Sequence, residues 1–239
     1  SSDRNSVINS LEVTNEEQFV GSVSLPSSEE IRQRAFSYFA TQNRAVTAQD
    51  YQAICYGMPA KFGMIKRVAV AKDPDEFMRN VNIYVMSENS SGKLTVANTS
   101  LKNNLKNWLT QYKMISDTVD ILDAEIVNFE IDYEILIDIN ANRFDVINAC
   151  NNKLTSKFSV KQDIGEPIKI TEIYRELLKV DGVVDVTSVD VGLKSGGIYS
   201  ESNYDFDSAL SADGRMIEAQ PNVVFELKYP NVDIKGSIR

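Results

Sequence analysis

The chain has 239 residues, and its 34 Asp and Glu outnumber its 25 Lys and Arg, so the formal charge is −9. Hydrophobic residues account for 43% of the sequence, which is enough for a buried core in one large domain or two small ones. No apolar run approaches the roughly 18 residues that span a bilayer. We therefore expect a folded protein that is not integral to a membrane.

The rarest residue types restrict the chemistry. There is no His, which excludes an imidazole base, a His-assisted nucleophile and a His-containing zinc site, and there are only two Cys, Cys55 and Cys150. Both Cys lie on apolar faces of predicted helices, which favours buried thiols over a disulfide and indicates a reducing compartment. No glycine-rich phosphate-binding motif is present, and we expect no cofactor. The chain begins at Ser1 without a signal segment, which we interpret as a piece of a longer protein.

The first part of the chain predicts a polar connecting arm, residues 1–27, followed by helices and strands. Capping-box spacing predicts a helix over residues 28–42 and a second, short helix that begins after Thr47. Two strand-like runs, residues 64–71 and 81–86, flank a turn sequence and predict a hairpin or a looser strand pair. Apolar residues recur at helical intervals in the two helices: Ile31, Ala35, Tyr38 and Phe39 in the first, and Tyr51, Ile54 and Cys55 in the second.

A third helix is predicted with Ser100 as its N-cap and one apolar stripe that faces the core. Its stripe consists of Leu101, Leu105, Trp108, Leu109 and Tyr112. The preceding hairpin is locally basic, but the negative net charge of the chain opposes nucleic-acid binding, so we interpret it as a solvated hairpin. The basic residues are Lys61, Lys66, Arg67 and Lys72.

Residues 125–139 show the clearest pattern. Apolar residues at odd positions alternate with mostly polar ones, which predicts a strand with one buried face. At roughly 3.3 Å per residue this strand would extend about 50 Å, so we expect it to bend or to extend beyond its own domain. The odd positions are Val127, Phe129, Ile131, Tyr133, Ile135, Ile137 and Ile139.

The remaining predicted elements are two helices, a strand, a long loop and a short strand. A turn at Gly165, a helix around residues 173–178 and a strand over residues 183–191 are predicted. Residues 192–215 mix Gly, Ser and aromatic residues without periodicity and predict a long functional loop, and residues 223–227 predict a short strand near a sheet edge. Before them, a helix capped by Asn142 is expected to direct five residues inward: Phe144, Ile147, Cys150, Leu154 and Phe158.

This order of elements predicts an α+β fold with mixed or antiparallel sheets and helices packed on one side, rather than a doubly wound parallel sheet. Two small subdomains precede an extended C-terminal loop and strand. We expect a connecting arm (1–27), a helical and hairpin subdomain (28–116), a strand-helix-helix-strand subdomain (117–192) and a partner-contacting segment (193–239).

The even positions of the long strand carry the one candidate carboxylate constellation. Alternate carboxylates on one strand face lie about 6.6 Å apart, a spacing that does not exclude an acid/base pair or a metal site. A solvated sheet face explains the same residues, because period-two patterning requires polar residues there. A metal-assisted hydrolase remains the alternative to a non-enzymatic protein. The carboxylates are Glu130, Asp132, Glu134 and Asp138.

Several segments resemble one family of phage tail proteins. Residues 44–51 (RAVTAQDY) and 65–70 (IKRVAV) resemble a segment that recurs in baseplate J-like proteins of contractile tails, and residues 158–186, with IGEPI and VDGVVDV, resemble a later part of that family. The end of the chain, residues 222–230 (NVVFELKYP) and 233–236 (DIKG), is similar to the C-terminus of the baseplate wedge subunits of T-even-type contractile-tailed bacteriophages. The likeness begins at the first predicted helix and corresponds to a C-terminal fragment.

The resemblance implies a structural, non-enzymatic subunit of the inner ring of a phage tail baseplate. Such a wedge protein pairs with itself as a homodimer, builds a ring around the hub, contacts other wedge and hub proteins and rearranges when the tail contracts. Its place would be the virion, after assembly in the host cytoplasm, and we expect neither nucleic acid nor membrane as a partner. A ring requires two interfaces per chain, because one self-complementary patch closes at a dimer. The candidate interface residues are Tyr199, Tyr204, Phe206, Phe225 and Tyr229.

Overall fold

The computed structural model describes residues 25–73, 80–89, 91–159 and 162–239. Within these ranges the chain forms seven α-helices and ten strands, and mixed parallel and antiparallel pairing confirms the predicted α+β class. None of the helices in the described ranges is both long and apolar enough to cross a membrane. Most of the predicted connecting arm and most of the turn predicted after Asp73 lie outside the described residues.

The first unit of the structure, residues 25–123, contains three α-helices and four strands. Its first two helices begin where the sequence predicts, because Ser27 and Thr47 each close a capping box with the acidic residue three positions later. The elements are α1 (Ser28–Ala40), α2 (Ala48–Tyr56), a 3-10 turn (Ala60–Phe62), β1 (Arg67–Lys72), β2 (Asn80–Glu88), β3 (Leu94–Thr95), α3 (Thr99–Leu109) and β4 (Thr118–Asp123).

Strand β2 is the centre of the first sheet. It pairs antiparallel with β1, which confirms the predicted pair, parallel with β4, and over two residues antiparallel with β3. Helix α2 packs on β1 and helix α3 on β4. The side chains of Ile54, Ile83 and Leu105 are fully buried in the core between these helices and the sheet.

The chain passes from this sheet into the next through one residue, Ala124. Strand β4 runs parallel to β2, and the backbone N–H of Ala124 donates to the Val85 carbonyl at 3.3 Å. The next N–H, that of Glu125, donates instead to the Asn222 carbonyl at 2.8 Å. The extended backbone therefore changes its partner at Ala124.

The second unit, residues 125–239, contains the longest strand at its centre. The chain forms β5 (Glu125–Ile137), α4 (Arg143–Phe158), β6 (Ile168–Lys169), α5 (Ile170–Leu177), β7 (Val183–Lys194), α6 (Phe206–Ala209), β8 (Met216–Ile217), β9 (Val223–Glu226), α7 (Pro230–Asp233) and β10 (Ile234–Ile238). The four-part division of the chain given above stays a prediction.

Strand β5 is paired along both edges. β7 pairs antiparallel along one edge, while β9 and then β10 pair in parallel along the other. Register shifts after Glu134 and Leu136 bend the strand, as its length predicts. β5 does not extend beyond its unit, because β7, β9 and β10 of the same chain pair along its edges. The predicted short strand at residues 223–227 is confirmed as β9.

The predicted buried face of β5 is confirmed for five of its seven odd positions, whereas Ile137 is only partly buried and Ile139, beyond the end of the strand, is 96% exposed. The side chains of Val127, Phe129, Ile131, Tyr133 and Ile135 are at most 2% exposed and form the core of the second unit with α4 and α5. One even position departs from the pattern. Asn128 is also fully buried, and its side-chain amide donates to Glu226 of the neighbouring strand β9.

Two details of the predicted helices are wrong. Asn98, not Ser100, caps α3, since its side chain accepts a hydrogen bond from the Leu101 N–H at 2.8 Å. Phe144 lies on the outer side of α4 and is 79% exposed, and Val146 occupies the inner face instead. Apolar periodicity does not locate a cap to within two residues. Val146, Cys150 and Leu154 recur at intervals of four on the inner face, whereas Phe144 lies two residues before Val146, more than half a helical turn away from that face.

The predicted solvated hairpin is wrong for two of its basic residues. Lys66 and Arg67 are 8% and 5% exposed. Lys66 forms an ion pair with Glu88, also buried, with 3.1 Å between Nζ and Oε2. Buried charges require such partners, and the carboxylates that supply them are distant in the sequence.

Candidate interaction surface

Three of the five predicted interface aromatics form a ring cluster on the second core. Phe225 of β9 is 1% exposed, and its ring centroid lies 5.5 Å from that of Tyr204 and 5.8 Å from that of Phe206. The Tyr204 hydroxyl donates to the Glu218 carbonyl at 2.7 Å. These contacts attach the C-terminal loop, residues 195–205, to the body of the unit.

The other two predicted aromatics form a second pair. The rings of Tyr199 and Tyr229 meet edge to face at 5.8 Å. The Tyr199 hydroxyl donates to Oδ1 of the fully buried Asp233 at 2.6 Å, and this hydrogen bond, together with partial desolvation, raises the pKa of Tyr199 to about 12. The other carboxylate oxygen of Asp233 accepts from the Tyr229 N–H at 2.7 Å. Tyr199 is therefore protonated at neutral pH and acts as a donor within the chain.

Polar contacts attach the loop between these two aromatic groups. The backbone N–H of Ser200 donates to Asn128 Oδ1 at 2.8 Å, and the Ser202 hydroxyl donates to Glu125 Oε1 at 2.6 Å. The structure thus places all five predicted aromatics in the C-terminal part of the chain, where each contacts residues of its own chain. Their contact with a partner stays a prediction.

The C-terminal segment presents aliphatic rather than aromatic side chains to solvent. Ile198 and Val232 are 63% and 60% exposed, and Leu210 and Met216 are 42% and 37% exposed. The sequence analysis missed these four residues because it selected the larger aromatic side chains. Aromatic rings bury more area, and here they pack against other residues of the same chain. Exposed apolar residues that share one region are candidates for partner contact.

Helix α1 has a second exposed apolar surface. Ile31, Phe36 and Phe39 are 54%, 76% and 84% exposed, and Leu25 precedes them at 86%. We call Ile31, Ala35, Phe36 and Phe39 the α1 apolar face. The helical recurrence of Ile31, Ala35, Tyr38 and Phe39 correctly predicted the helix, but of these four only Tyr38 packs against the core.

The polar side of α1 holds it to the rest of the first unit. Glu30 forms an ion pair with Arg67, with 3.2 Å between Oε1 and Nη1. The guanidinium of Arg34 lies 4.0 Å above the ring centre of Tyr56, a cation–π contact. Helix α1 therefore contacts its unit through Glu30, Arg34 and the partly buried ring of Tyr38, while the α1 apolar face is exposed.

The carboxylates of β5 do not form an isolated acidic site. Lys194 of β7 and Lys235 of β10 both reach Oε2 of Glu130, at 2.8 and 2.7 Å. Partial burial would raise the pKa of Glu130, but the hydrogen bonds and charges of the two lysines hold it below the ordinary value. A general acid needs a raised pKa instead. Lys235 also approaches Asp132 at 3.8 Å.

The two Cys thiols, the other side chains that could perform chemistry, are each buried. Among the described residues, no group of three or more His, Cys, Asp or Glu is arranged to hold a metal ion. Cys55 and Cys150 are both buried and unpaired with each other, as predicted. Burial raises the pKa of the Cys150 thiol to about 11, despite a hydrogen bond with Tyr133 that lowers it, so the thiol stays protonated at neutral pH.

Comparison with known proteins gives a similarity to solved structures. No family model and no curated protein matches the chain. Among solved structures, it is similar to a chain of the cryo-EM structure of the anti-feeding prophage (AFP) baseplate, 6-fold symmetrised, with a TM-score of 0.51 and 10% identity. The match covers 85% of this chain but 42% of that chain, so this protein spans less than half the length of the baseplate chain. The two share a fold.

Proposed function

We propose that this protein is a structural subunit of a contractile phage tail baseplate, a wedge component that forms homodimers and contributes to the inner baseplate ring. The observation that carries the proposal is the fold shared with a prophage baseplate chain over 85% of the sequence. The phage-tail motifs noted in the sequence support the same assignment independently. The similar chain comes from an assembly, which supports association of this protein with other baseplate proteins.

The exposed surfaces suit a subunit with more than one neighbour. The α1 apolar face belongs to the first unit, while Ile198 and Val232 belong to the second. A ring of subunits needs two separate contacts on each chain, because a single two-fold contact closes at a dimer. Two apolar surfaces on different units meet that requirement.

The proposed mechanism is assembly without catalysis. The chain would act in the virion by contacting copies of itself and other wedge and hub proteins, and by changing these contacts when the tail contracts. No cofactor, membrane or nucleic acid takes part in this proposal. The charged residues of β5 contribute to the sheet by pairing across strands, as Glu130 does with Lys194 and Lys235.

Light scattering coupled to size-exclusion chromatography tests self-association. We expect a dimer or larger species whose population rises with protein concentration. A strict monomer at high concentration would contradict the homodimer, and a ring could then form only through other proteins.

Surface variants then identify which apolar surface is used. Phe36→Ser with Phe39→Ser removes apolar area from α1, and Ile198→Ser with Val232→Ser removes it from the C-terminal segment. Phe144→Ser alters a similarly exposed Phe on α4. This variant is the matched control for non-specific hydrophobic association. We expect at least one double variant to shift the protein to monomer while the control does not. Equal effects of all three would indicate non-specific association.

A further inference from the structure

The two units of the chain meet over a small apolar area. Their regular elements make few contacts with each other in the described part of the chain, whereas contacts within each unit are extensive. The backbone link between the sheets is Ala124. The apolar part of the junction is one cluster that is smaller than the core of either unit. It consists of five buried residues, Met86, Leu94, Ala124, Ile164 and Val224, with Ala69, Tyr84 and Ile126 partly buried against them.

Arg67 makes the principal charged contact across this junction. Its side chain is 6% exposed and lies between a helix of the first unit and a loop of the second. Nη1 approaches Glu30 of α1 at 3.2 Å, and Nε approaches Asp163 Oδ1 at 2.8 Å. Asp163 precedes Ile164 of the apolar cluster, so the ion pair lies beside that cluster. One guanidinium therefore joins α1, β1 and the second unit.

A second polar contact crosses the junction at Glu226 of β9. This side chain is buried, at 4% exposure for the residue. Its Oε1 accepts from the Leu94 N–H of β3 at 3.0 Å, and its Oε2 accepts from Asn128 Nδ2 at 3.2 Å. The ammonium of Lys93 donates to the Lys228 carbonyl. The β2–β3 connection is thus attached to the second unit by polar groups.

These features have a common physical consequence. A small, polar interface between two units permits relative motion, whereas a large apolar one prevents it. Only the guanidinium side of these ion pairs is buried, at 6% exposure for Arg67, so the pairs add little net stability, but losing an acidic partner would leave a buried charge unpaired and therefore favours the one arrangement that keeps it paired. Polar contacts can break and reform in water, and such contacts suit a hinge that allows two arrangements of the units.

We propose that Ala124 is a hinge between the two units and that the ion pairs of Arg67 hold this hinge in one position. Backbone rotation at Ala124 would reorient β5 and its sheet relative to β2 while leaving both cores intact. Separation of Arg67 from Asp163 loosens the junction, and full release of the second unit also breaks the contacts of Glu226 with Leu94 and of Lys93 with Lys228. The role of the hinge in baseplate rearrangement rests on the proposed function, but the hinge itself is a property of the single chain.

Distance measurements between spin labels test the hinge directly. Labels are placed at Lys106→Cys on α3 and Asn148→Cys on α4, both exposed positions, while the buried native Cys55 and Cys150 remain. The test variants are Asp163→Asn and Arg67→Gln. The control is Arg32→Gln, which removes an exposed ion pair with Glu29 within α1. Circular dichroism verifies that each variant is folded.

We expect the parent protein and the Arg32→Gln control to show one narrow distance, and the two test variants to show a distribution about twofold wider or a second distance. Asp163 has a largely exposed side chain, so Asp163→Asn is expected to fold and decides the question even if Arg67→Gln does not. A folded Asp163→Asn protein with the parent distribution would overturn the hinge. That outcome is distinct from failure of the proposed function, which light scattering of the unlabelled protein measures.

Discussion

Helix α1 and strand β5 each carry an apolar stripe with the period of their secondary structure, but only one stripe is buried. On β5, five consecutive odd positions are at most 2% exposed beneath α4 and α5. On α1, Phe36 and Phe39 are 76% and 84% exposed. The hydrophobic period determines which element forms, and it identifies a buried face only when another element of the same chain covers it.

The difference indicates what each stripe does. The β5 stripe stabilises the fold, because its burial removes apolar area from water. The α1 apolar face contributes little to the fold and is available to a partner. Substitutions in the two stripes should therefore affect different measurements, and the following predictions are ordered by the size of the expected effect.

Phe129→Ala should give the largest loss of stability. The ring of Phe129 is 1% exposed and packs edge to face on Phe158 and Phe225. Loss of this packing and the resulting cavity should lower the free energy of unfolding by about 3–5 kcal/mol. Urea denaturation measures the change. The control is Ile139→Ala, 96% exposed beyond the end of β5, and an equal loss there would contradict the buried-stripe interpretation.

Thr47→Ala should cost less, about 1 kcal/mol. The Thr47 hydroxyl accepts from the Asp50 N–H at 3.2 Å and caps α2, which is packed on β1. Ser27→Ala removes the equivalent cap of α1. Because α1 buries no residue fully, its first turn can fray without exposing core, so urea denaturation should show a smaller loss for Ser27→Ala. The reverse order would show that α1 is coupled to the core more strongly than α2.

Glu130→Gln should have a pH-dependent effect of up to about 1 kcal/mol. Although partial burial opposes ionisation, Lys194 and Lys235 hold the pKa of Glu130 below its ordinary value in the folded protein. A lowered folded pKa contributes stability above the ordinary pKa, and this contribution is lost as the pH falls through the lowered value.

Denaturation of the parent and the Gln variant should therefore differ at about pH 7 and converge as the pH falls below the lowered pKa of Glu130. Glu201→Gln, in the exposed part of the C-terminal loop, is the control for loss of one negative charge. A difference that persists at low pH would mean that Glu130 acts through packing rather than charge.

Phe39→Ser should change stability least, by no more than about 0.5 kcal/mol. The side chain is 84% exposed, and Phe and Ser have similar helix propensities. Any effect on self-association should appear in light scattering without a shift in the denaturation midpoint. A stability loss close to that of Phe129→Ala would show that α1 is buried by its own chain in solution.

Local signals in the sequence predicted the parts of the fold that depend on neighbouring residues. The two capping boxes, the Asn142 cap and the alternation along β5 are all patterns within about fifteen residues, and each corresponds to an observed element. The strands β3, β6 and β8 were missed because two-residue strands have no measurable period. β10 was missed because Gly236 interrupts it, although the close approach of Tyr133 leaves no room for a Cβ there.

The sequence by itself determined the α+β class, the central strand and the start of most helices, because these follow from hydrogen bonding and hydrophobic period along a short stretch of chain. Only the tertiary structure decided which faces are covered. It buried Arg67 and Asn128, placed the predicted aromatics against their own chain and left the α1 apolar face in solvent. Burial depends on which distant segments come together, and a local pattern contains no information about that choice.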